Sequence, residues 1–269
     1  MKILAVVVTY YPEEKLLKKD INAFINYVDK VLIWENTPEI DKLSFRFIHD
    51  DKIIKYCGDG VNSISHALNY AWRYAKENGY DYLLTMDQDS CFMRFDYYFN
   101  QTVQNKKTPK GIYSPHIVGT EINSDFEEIN MPITSGMLIP VYYINMIGGW
   151  DETFKIDSVD DEFCLHAHSL GIKTYAVKGA MMNQRFGEPE TRNVCGHTIN
   201  LRNYTPDRLY FIYKNNIILI RRYPQLSYIK DNFINVWIKQ IVWLFFEKNT
   251  IRKLLSVFKG CIIGLVVRV

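Results

Sequence analysis

Apolar and polar positions fall into blocks along the first ninety residues, and the blocks have two different periods. Ile3 to Val8 is a continuous apolar run, the pattern of a strand buried on both faces. From Glu13 to Val28 the large apolar residues are Leu17, Ile21, Phe24, Ile25 and Val28, which is helical spacing. Val31 to Trp34 and Lys52 to Tyr56 return to strand patterns. Ser63 can cap a helix whose apolar stripe is Ala67, Leu68, Ala71, Trp72 and Ala75, and Gly79 can end it. Tyr82 to Met86 then reads as another strand. This βαβαβ series predicts an α/β fold with a mostly parallel sheet flanked by helices.

The pattern is less regular after Ser90. Ile112 to Ser114 and Ile133 to Ile139 predict strands on either side of a polar loop, Gly119 to Asn130. Asp160 to Leu170 has helical spacing and stops at Gly171, and Ile172 to Val177 is a strand. Gly187 to Tyr204 holds few large apolar residues and reads as a mobile loop. Thr205-Pro206 is a helix start, and that helix should run to about Arg222. Two parts follow: residues 1–204, and a helical extension over 205–269.

Charge separates the same two parts. The formal net charge is only +2, but from Thr205 onward eleven Lys/Arg face three Asp/Glu. This extension also holds the apolar stretches Phe233 to Phe246 and Cys261 to Val267, both short of the ~18 uninterrupted apolar residues of a spanning helix. A basic, aromatic-rich amphipathic tail reads as a membrane-surface element; an ordinary helical subdomain is the competing reading. Met1 to Val8 is too short for a signal peptide and runs into Thr9-Tyr10-Tyr11-Pro12 instead of a small-residue cleavage site. The five cysteines are scattered, with no Cys-x-x-Cys pair, and read as reduced thiols. A cytoplasmic protein at the inner face of the cell membrane is expected, with no nucleic-acid partner.

Ligands of parallel sheets bind at the carboxyl ends of the strands, and three polar sites fall there: Thr9-Tyr10, Glu35-Asn36 and Asp87-Gln88-Asp89. Residues two apart on an extended chain face the same way, so Asp87 and Asp89 share one space. At roughly 7 Å and an effective dielectric near 20, their charges repel by about 2.4 kcal/mol. A divalent cation, a proton or open solvent would relieve this repulsion. Three other chemistries lack their motifs: there is no Gly-x-Gly-x-x-Gly after the first strand, no phosphate-binding Gly-x-x-x-x-Gly-Lys-Ser/Thr and no Gly-x-Ser-x-Gly elbow. A phosphoryl-transfer enzyme with Asp-x-Asp as nucleophile and acid would carry that motif on its first strand, where Thr9-Tyr10 stand.

With these motifs in order, the chain resembles the family-2 glycosyltransferases of the GT-A fold. The resemblance rests on Val7-Val8-Thr9-Tyr10, Glu35-Asn36-Thr37, Ala67-Leu68-Asn69 and Asp87-Gln88-Asp89-Ser90. It continues through Thr134-Ser135-Gly136, Gly148-Gly149-Trp150-Asp151-Glu152 and Val159-Asp160-Asp161-Glu162. Leu209 to Arg222, with Lys214-Asn215-Asn216, resembles rhamnosyltransferase-like members in particular. The resemblance implies an inverting transferase that moves a sugar from a nucleotide-diphosphate donor to a glycan acceptor, which the basic tail makes lipid-linked.

It also implies roles for residues. Asp89, supported by Asp87, would hold Mg²⁺ or Mn²⁺ at the donor diphosphate. Thr9, Tyr10, Glu35, Asn36 and Asp87 would hold the nucleotide. Asp160 would be the base that activates the acceptor hydroxyl, with Asp161 and Glu162 as competitors one register away. Gly136, Trp150, Asp161, Gln184 and Arg185 would border the substrates, although Trp150 reads equally as core. Two positions depart from the family pattern. Gln184-Arg185-Phe186-Gly187 replaces a His-x-x-Gly, which exchanges a His for a poorer metal ligand and offers Arg185 to phosphate. Ser63 stands where a Gly is usual. These departures leave a degenerate sugar-nucleotide-binding protein as the alternative.

Overall fold

The structure, a computed structural model, describes residues 1–38, 50–58, 61–185, 190–194, 197–225 and 227–268. It groups into two compact units: 1–155 with 159–185, and 156–158 with 186–269.

The first unit is built on a mixed sheet. Its strands are β1 (Ile3–Thr9), β2 (Lys30–Glu35), β3 (Ile53–Cys57), β4 (Tyr82–Asp87), β5 (Ser90–Phe92), β6 (Ile112–Ile117), β7 (Phe126–Glu128), β8 (Leu138–Pro140) and β9 (Thr174–Gln184). Their order is β3-β2-β1-β4-β8-β6-β9-β5, with β7 paired to β9. The β1–β2, β2–β3 and β1–β4 pairs are parallel, as the βαβαβ pattern requires; β8 enters antiparallel to β4. In register, Thr9 pairs with Glu35 and Val8 with Asp87, so these strands end at one level. That common edge positions the site.

The helices follow local signals. Leu17 and Ile21 of α1 (Glu14–Asn22) are buried, and so are Phe24, Ile25 and Val28 beyond it. The expected single helix to Val28 instead stops at Asn22 and resumes as a 3₁₀ turn over Ile25–Tyr27. Ser63 caps α2 (Ile64–Glu77) by accepting the His66 N–H at 3.3 Å. α3 (Phe95–Phe99), α4 (Val141–Ile147) and α5 (Val159–Ser169) complete this unit.

The expected strand over Ile133–Ile139 shrinks to Leu138–Pro140. The cause is Gly136 at φ +82, where a Cβ would stand 2.5 Å from Pro115 Cγ. Only glycine fits that left-handed turn. The polar stretch expected as loop contains the short β7, which donates no large apolar face and escaped the period count.

The second unit contains β10 (Glu190–Val194), β11 (His197–Leu201), α6 (Pro206–Arg222), α7 (Ser227–Leu244) and α8 (Thr250–Val266). The stretch read as a mobile loop is therefore largely a hairpin, with Glu190 opposite Leu201 and Val194 opposite His197. Its strands lack an apolar stripe because their bonding comes from the ladder and from polar anchors. Arg192 donates to the Phe246 carbonyl at 2.7 Å, and the Asn203 N–H to Glu247 at 3.0 Å. Residues 187–189 and 195–196 of that expected loop lie outside the described residues.

Thr205 caps α6 and Pro206 opens it, as expected. The Lys214-Asn215-Asn216 run is buried, and two of its members hold a strained turn. Asp157 and Ser158 both have left-handed backbone, φ 57 and φ 56. Asn215 Nδ2 donates to the carbonyls of Ile156 at 2.9 Å and Asp157 at 2.8 Å. Arg208 pairs with Asp157 at 3.0 Å, and Ser158 Oγ donates to Asn216 at 3.2 Å. A second buried Lys, Lys253, meets Glu247 at 2.6 Å with both side chains almost fully covered. Close helix contact requires Gly260 and Gly264 in α8, where a Cβ would come within 2.5 Å of Tyr210 O and 2.7 Å of Lys214 O.

Candidate active site

The site forms at the carboxyl ends of β1, β2 and β4, because parallel strands present their last residues to the same side. At the β1 end, Thr9 is buried and its Oγ1 donates to the Trp34 carbonyl at 3.2 Å. Its own carbonyl accepts the Asn36 N–H at 2.8 Å. Glu35 is buried at the end of β2. Asn36 Oδ1 accepts the Trp34 indole N–H at 2.9 Å, so this side chain supports the loop. Tyr10, by contrast, is 47% exposed. Of the expected nucleotide residues, Tyr10 presents a side chain outward, while Thr9 and Asn36 spend theirs on the strand ends.

Asp87 closes β4. Its backbone N–H donates to Ser135 Oγ at 3.0 Å, which ties β4 to the Thr134-Ser135-Gly136 segment. Its carboxyl is pushed up to about 7 by desolvation first, then by the charges of Asp89 and Asp160. Asp89 is also raised, chiefly by burial, but Arg185 and hydrogen bonds pull it back toward the ionised form. The two aspartates of the motif are thus unequal.

Asp160 stands in the first turn of α5. Its Oδ2 accepts the Thr134 N–H at 3.2 Å and its Oδ1 the Asp161 N–H at 3.1 Å. Glu162 is 2% exposed and sits on the core side of α5. Asp161 is partly buried on the same turn. The charge of Asp160 bears on Asp87.

Other expected contacts have different surroundings. Trp150 is 3% exposed and stacked on Phe163, with ring centroids 4.4 Å apart. Its backbone is gripped by Asn69, which donates to its carbonyl and accepts its N–H, both at 2.8 Å. This is a core position, and it gives Asn69 of the Ala67-Leu68-Asn69 motif its role. Gly136 is a buried turn residue whose carbonyl accepts Tyr98 Oη at 3.0 Å. Arg185 is committed to the buried Asp20 of α1 and also donates to the Gln88 carbonyl at 3.4 Å. Its guanidinium therefore anchors the loop and biases Asp89.

Asp20 went unnoticed in the sequence, although it falls on the apolar stripe between Leu17 and Ile21, where a lone acid needs a partner. Gln88 also went unnoticed, and its type carries no local signal.

The fold implies a divalent metal, and the residues present fit one in part. Asp89 Oδ1 and Gln184 Oε1 are buried and have no hydrogen-bond partner among the described residues. The β5–β9 pairing brings the two segments together: Ser90 pairs with Gln184, and the Arg185 N–H donates to Asp89 O at 2.9 Å. With Asp87 they would offer only oxygen donors, the ligand type that suits Mg²⁺ or Mn²⁺. Among the described residues no group of three or more His, Cys, Asp or Glu side chains is placed to hold a metal ion.

No model of a known protein family matches the chain. Among curated proteins, dTDP-rhamnosyl transferase RfbF of Shigella flexneri is 26% identical over 251 residues, spanning 82% of this chain and 80% of that protein. Among solved structures, GalNAc-T7 with UDP, GalNAc and Mn²⁺ superposes with a TM-score of 0.63 at 9% identity, over 82% of this chain. The chain spans about half of that protein, 48%. Mannosyltransferase PcManGT from Pyrobaculum calidifontis, in complex with GDP-Man and Mn²⁺, gives a TM-score of 0.57 at 10% identity. That match covers 100% of this chain and 76% of the mannosyltransferase. TarS 1-349 of S. aureus with UDP-GlcNAc gives 0.55 at 13% identity, over 81% of this chain and 67% of that one. The strand-end site and these likenesses agree: the chain has the GT-A glycosyltransferase fold and is rhamnosyltransferase-like in sequence.

Proposed function

We propose that this glycosyltransferase moves a sugar from a nucleotide diphosphate to a hydroxyl of a lipid-linked glycan, with inversion. The observation that carries the reading is that Asp87 and Asp160 are tied to adjacent residues, the Asp87 N–H to Ser135 Oγ at 3.0 Å and the Thr134 N–H to Asp160 Oδ2 at 3.2 Å. In the proposed step the acceptor oxygen bonds to the anomeric carbon as the bond to the diphosphate oxygen breaks on the opposite face. Asp160 takes the acceptor proton, and the diphosphate leaves with the electron pair. Asp89, Asp87 and Gln184 would hold the divalent ion, which neutralises charge on the departing diphosphate. Tyr10 faces the nucleoside. The relative from Shigella flexneri makes dTDP-rhamnose the first donor to test.

A thermal-shift panel of dTDP-, UDP- and GDP-sugars, with and without Mn²⁺, tests this reading. One donor family should raise the midpoint, and Mn²⁺ should enlarge the rise; a panel with no response to any donor would sink the reading. Gln184 in place of a His supports the second reading, a binding protein without turnover. Under that reading a donor would shift the midpoint yet remain unhydrolysed with Mn²⁺ and untransferred to any glycan lipid.

The acceptor side rests on the second unit. Among the described residues no helix is long and apolar enough to cross a membrane. Yet α8 exposes Ile251, Leu255, Phe258, Ile262 and Leu265 at three-to-four spacing, with the exposed cations Arg252 and Lys259 beside them. From Lys248 onward the sequence has five Lys/Arg and no acid. An apolar stripe bordered by cations matches an anionic bilayer surface, each cation adding about 1 kcal/mol. The full chain should co-sediment with phosphatidylglycerol vesicles and much less with phosphatidylcholine ones. A Leu255→Glu/Phe258→Glu variant that pellets as well as the parent would refute the membrane assignment.

A further inference from the structure

Gln88 lies between the two motif aspartates, and its side chain behaves as one more step of the sheet. Its Oε1 accepts the Tyr10 N–H at 2.7 Å, and its Nε2 donates to the Tyr10 carbonyl at 2.9 Å. The last β1–β4 backbone pair is Val8 with Asp87, so the amide continues the pairing where the two chains diverge. The donor and acceptor on Tyr10 dictate which end of the amide is oxygen.

The segment so held is strained. Tyr11 has φ 46, the left-handed region that a bulky residue seldom adopts. Its N–H donates to Thr37 Oγ1 at 2.9 Å, a second anchor on this turn. The two rings meet edge to face with centroids 4.7 Å apart, and they remain 47% and 51% exposed. Two exposed rings on a turn pinned at successive residues, one edge-on to the other, offer a braced ring face whose ordering cost is met before any ligand arrives.

We propose that Gln88 is a positioning residue that holds Tyr10 and Tyr11 as a preformed stacking platform for the donor's nucleobase. This rests on reading the site as one for a nucleotide-diphosphate sugar. Gln88 sits in the motif of the diphosphate side yet acts on the nucleoside side. Its loss should therefore weaken nucleoside recognition and spare the diphosphate.

Calorimetric titration of the full chain with dTDP, UDP and pyrophosphate, each with Mn²⁺, separates these effects. Gln88→Met keeps the length of the side chain and removes both hydrogen bonds. It should weaken binding of the preferred nucleotide about ten-fold, with pyrophosphate affinity within about two-fold of the parent. In turnover the loss should fall on donor KM and not on kcat. Parental nucleotide affinity in Gln88→Met overturns the proposal, as does an equal loss for nucleotide and pyrophosphate. Tyr10→Ala leaves Gln88 in place and should show the same nucleotide-only loss; full nucleotide affinity in that variant also overturns it. A parent chain that binds pyrophosphate but neither nucleotide defeats the nucleotide reading itself, and the platform with it.

Discussion

Asp160→Asn lowers transfer about a thousand-fold while nucleotide affinity stays within about two-fold of the parent. This is the expected result if Asp160 is the base, since positioned proton acceptors contribute roughly 10²–10⁴-fold. The amide keeps the shape of the carboxylate and can still accept the Thr134 N–H, now 3.2 Å away, giving up the contact with the neighbouring Asp161 N–H. It cannot take the acceptor proton. The matching substitution Asp161→Asn should cost far less, because it is the Asp160 carboxyl that is tied through Thr134 to the segment holding Asp87. Single-turnover transfer with dTDP and UDP titrations alongside would decide it. Undiminished turnover in Asp160→Asn would remove the base assignment.

Asp87→Asn has the second large effect, and it acts on stability as well as on activity. In the folded chain the Asp87 carboxyl is pushed up from 3.8 to about 7, with desolvation the leading cause. A raised acid is most stabilising when protonated. Its contribution is therefore fully present below about pH 4 and is lost as pH rises through about 7. Over that window the metal-free protein should lose a few kcal/mol at most, at about 1.4 kcal/mol per unit and less where solvent reaches the carboxyl. Asp87→Asn resembles the neutral acid, so at pH 8 without metal it should melt several degrees above the parent. Near pH 4 the two should melt together. The same variant should lose the Mn²⁺-dependent stabilisation by donor. Equal melting at pH 8, with metal removed, would show that Asp87 carries no such burden.

A good part of this organisation was legible in the residues, for local reasons. Periods of two and 3.6 are set by backbone geometry, so β1, β2, α2, β4 and α6 are readable from spacing alone. Caps are equally local: Ser63 bonds to His66, and Thr205 to Arg208, each three residues on. Where an element depends on a distant partner, its pattern failed. Leu138–Pro140 is a strand because β4 and β6 receive it, and β10–β11 is a hairpin with scarcely any apolar signal. Trp150 was ambiguous in the sequence; Phe163 across the core settles its ring face.

The candidate site divides in the same way. That Thr9, Glu35 and Asp87 stand at one edge followed from the sequence, because parallel βαβ connection puts successive strand ends on one side. The sequence also determined which residues could carry charge there. Tertiary structure alone decided how that charge is shared. Arg185 is turned from phosphate to Asp20, a partner 165 positions away, and Gln88 reaches Tyr10 across 78. Such pairings depend on distances that no periodicity encodes, and a carboxylate's protonation depends on burial and on its neighbours' charges. For that reason the Asp-x-Asp pair was readable as a candidate site, while the unequal burial and partners of Asp87 and Asp89 became visible only in the fold.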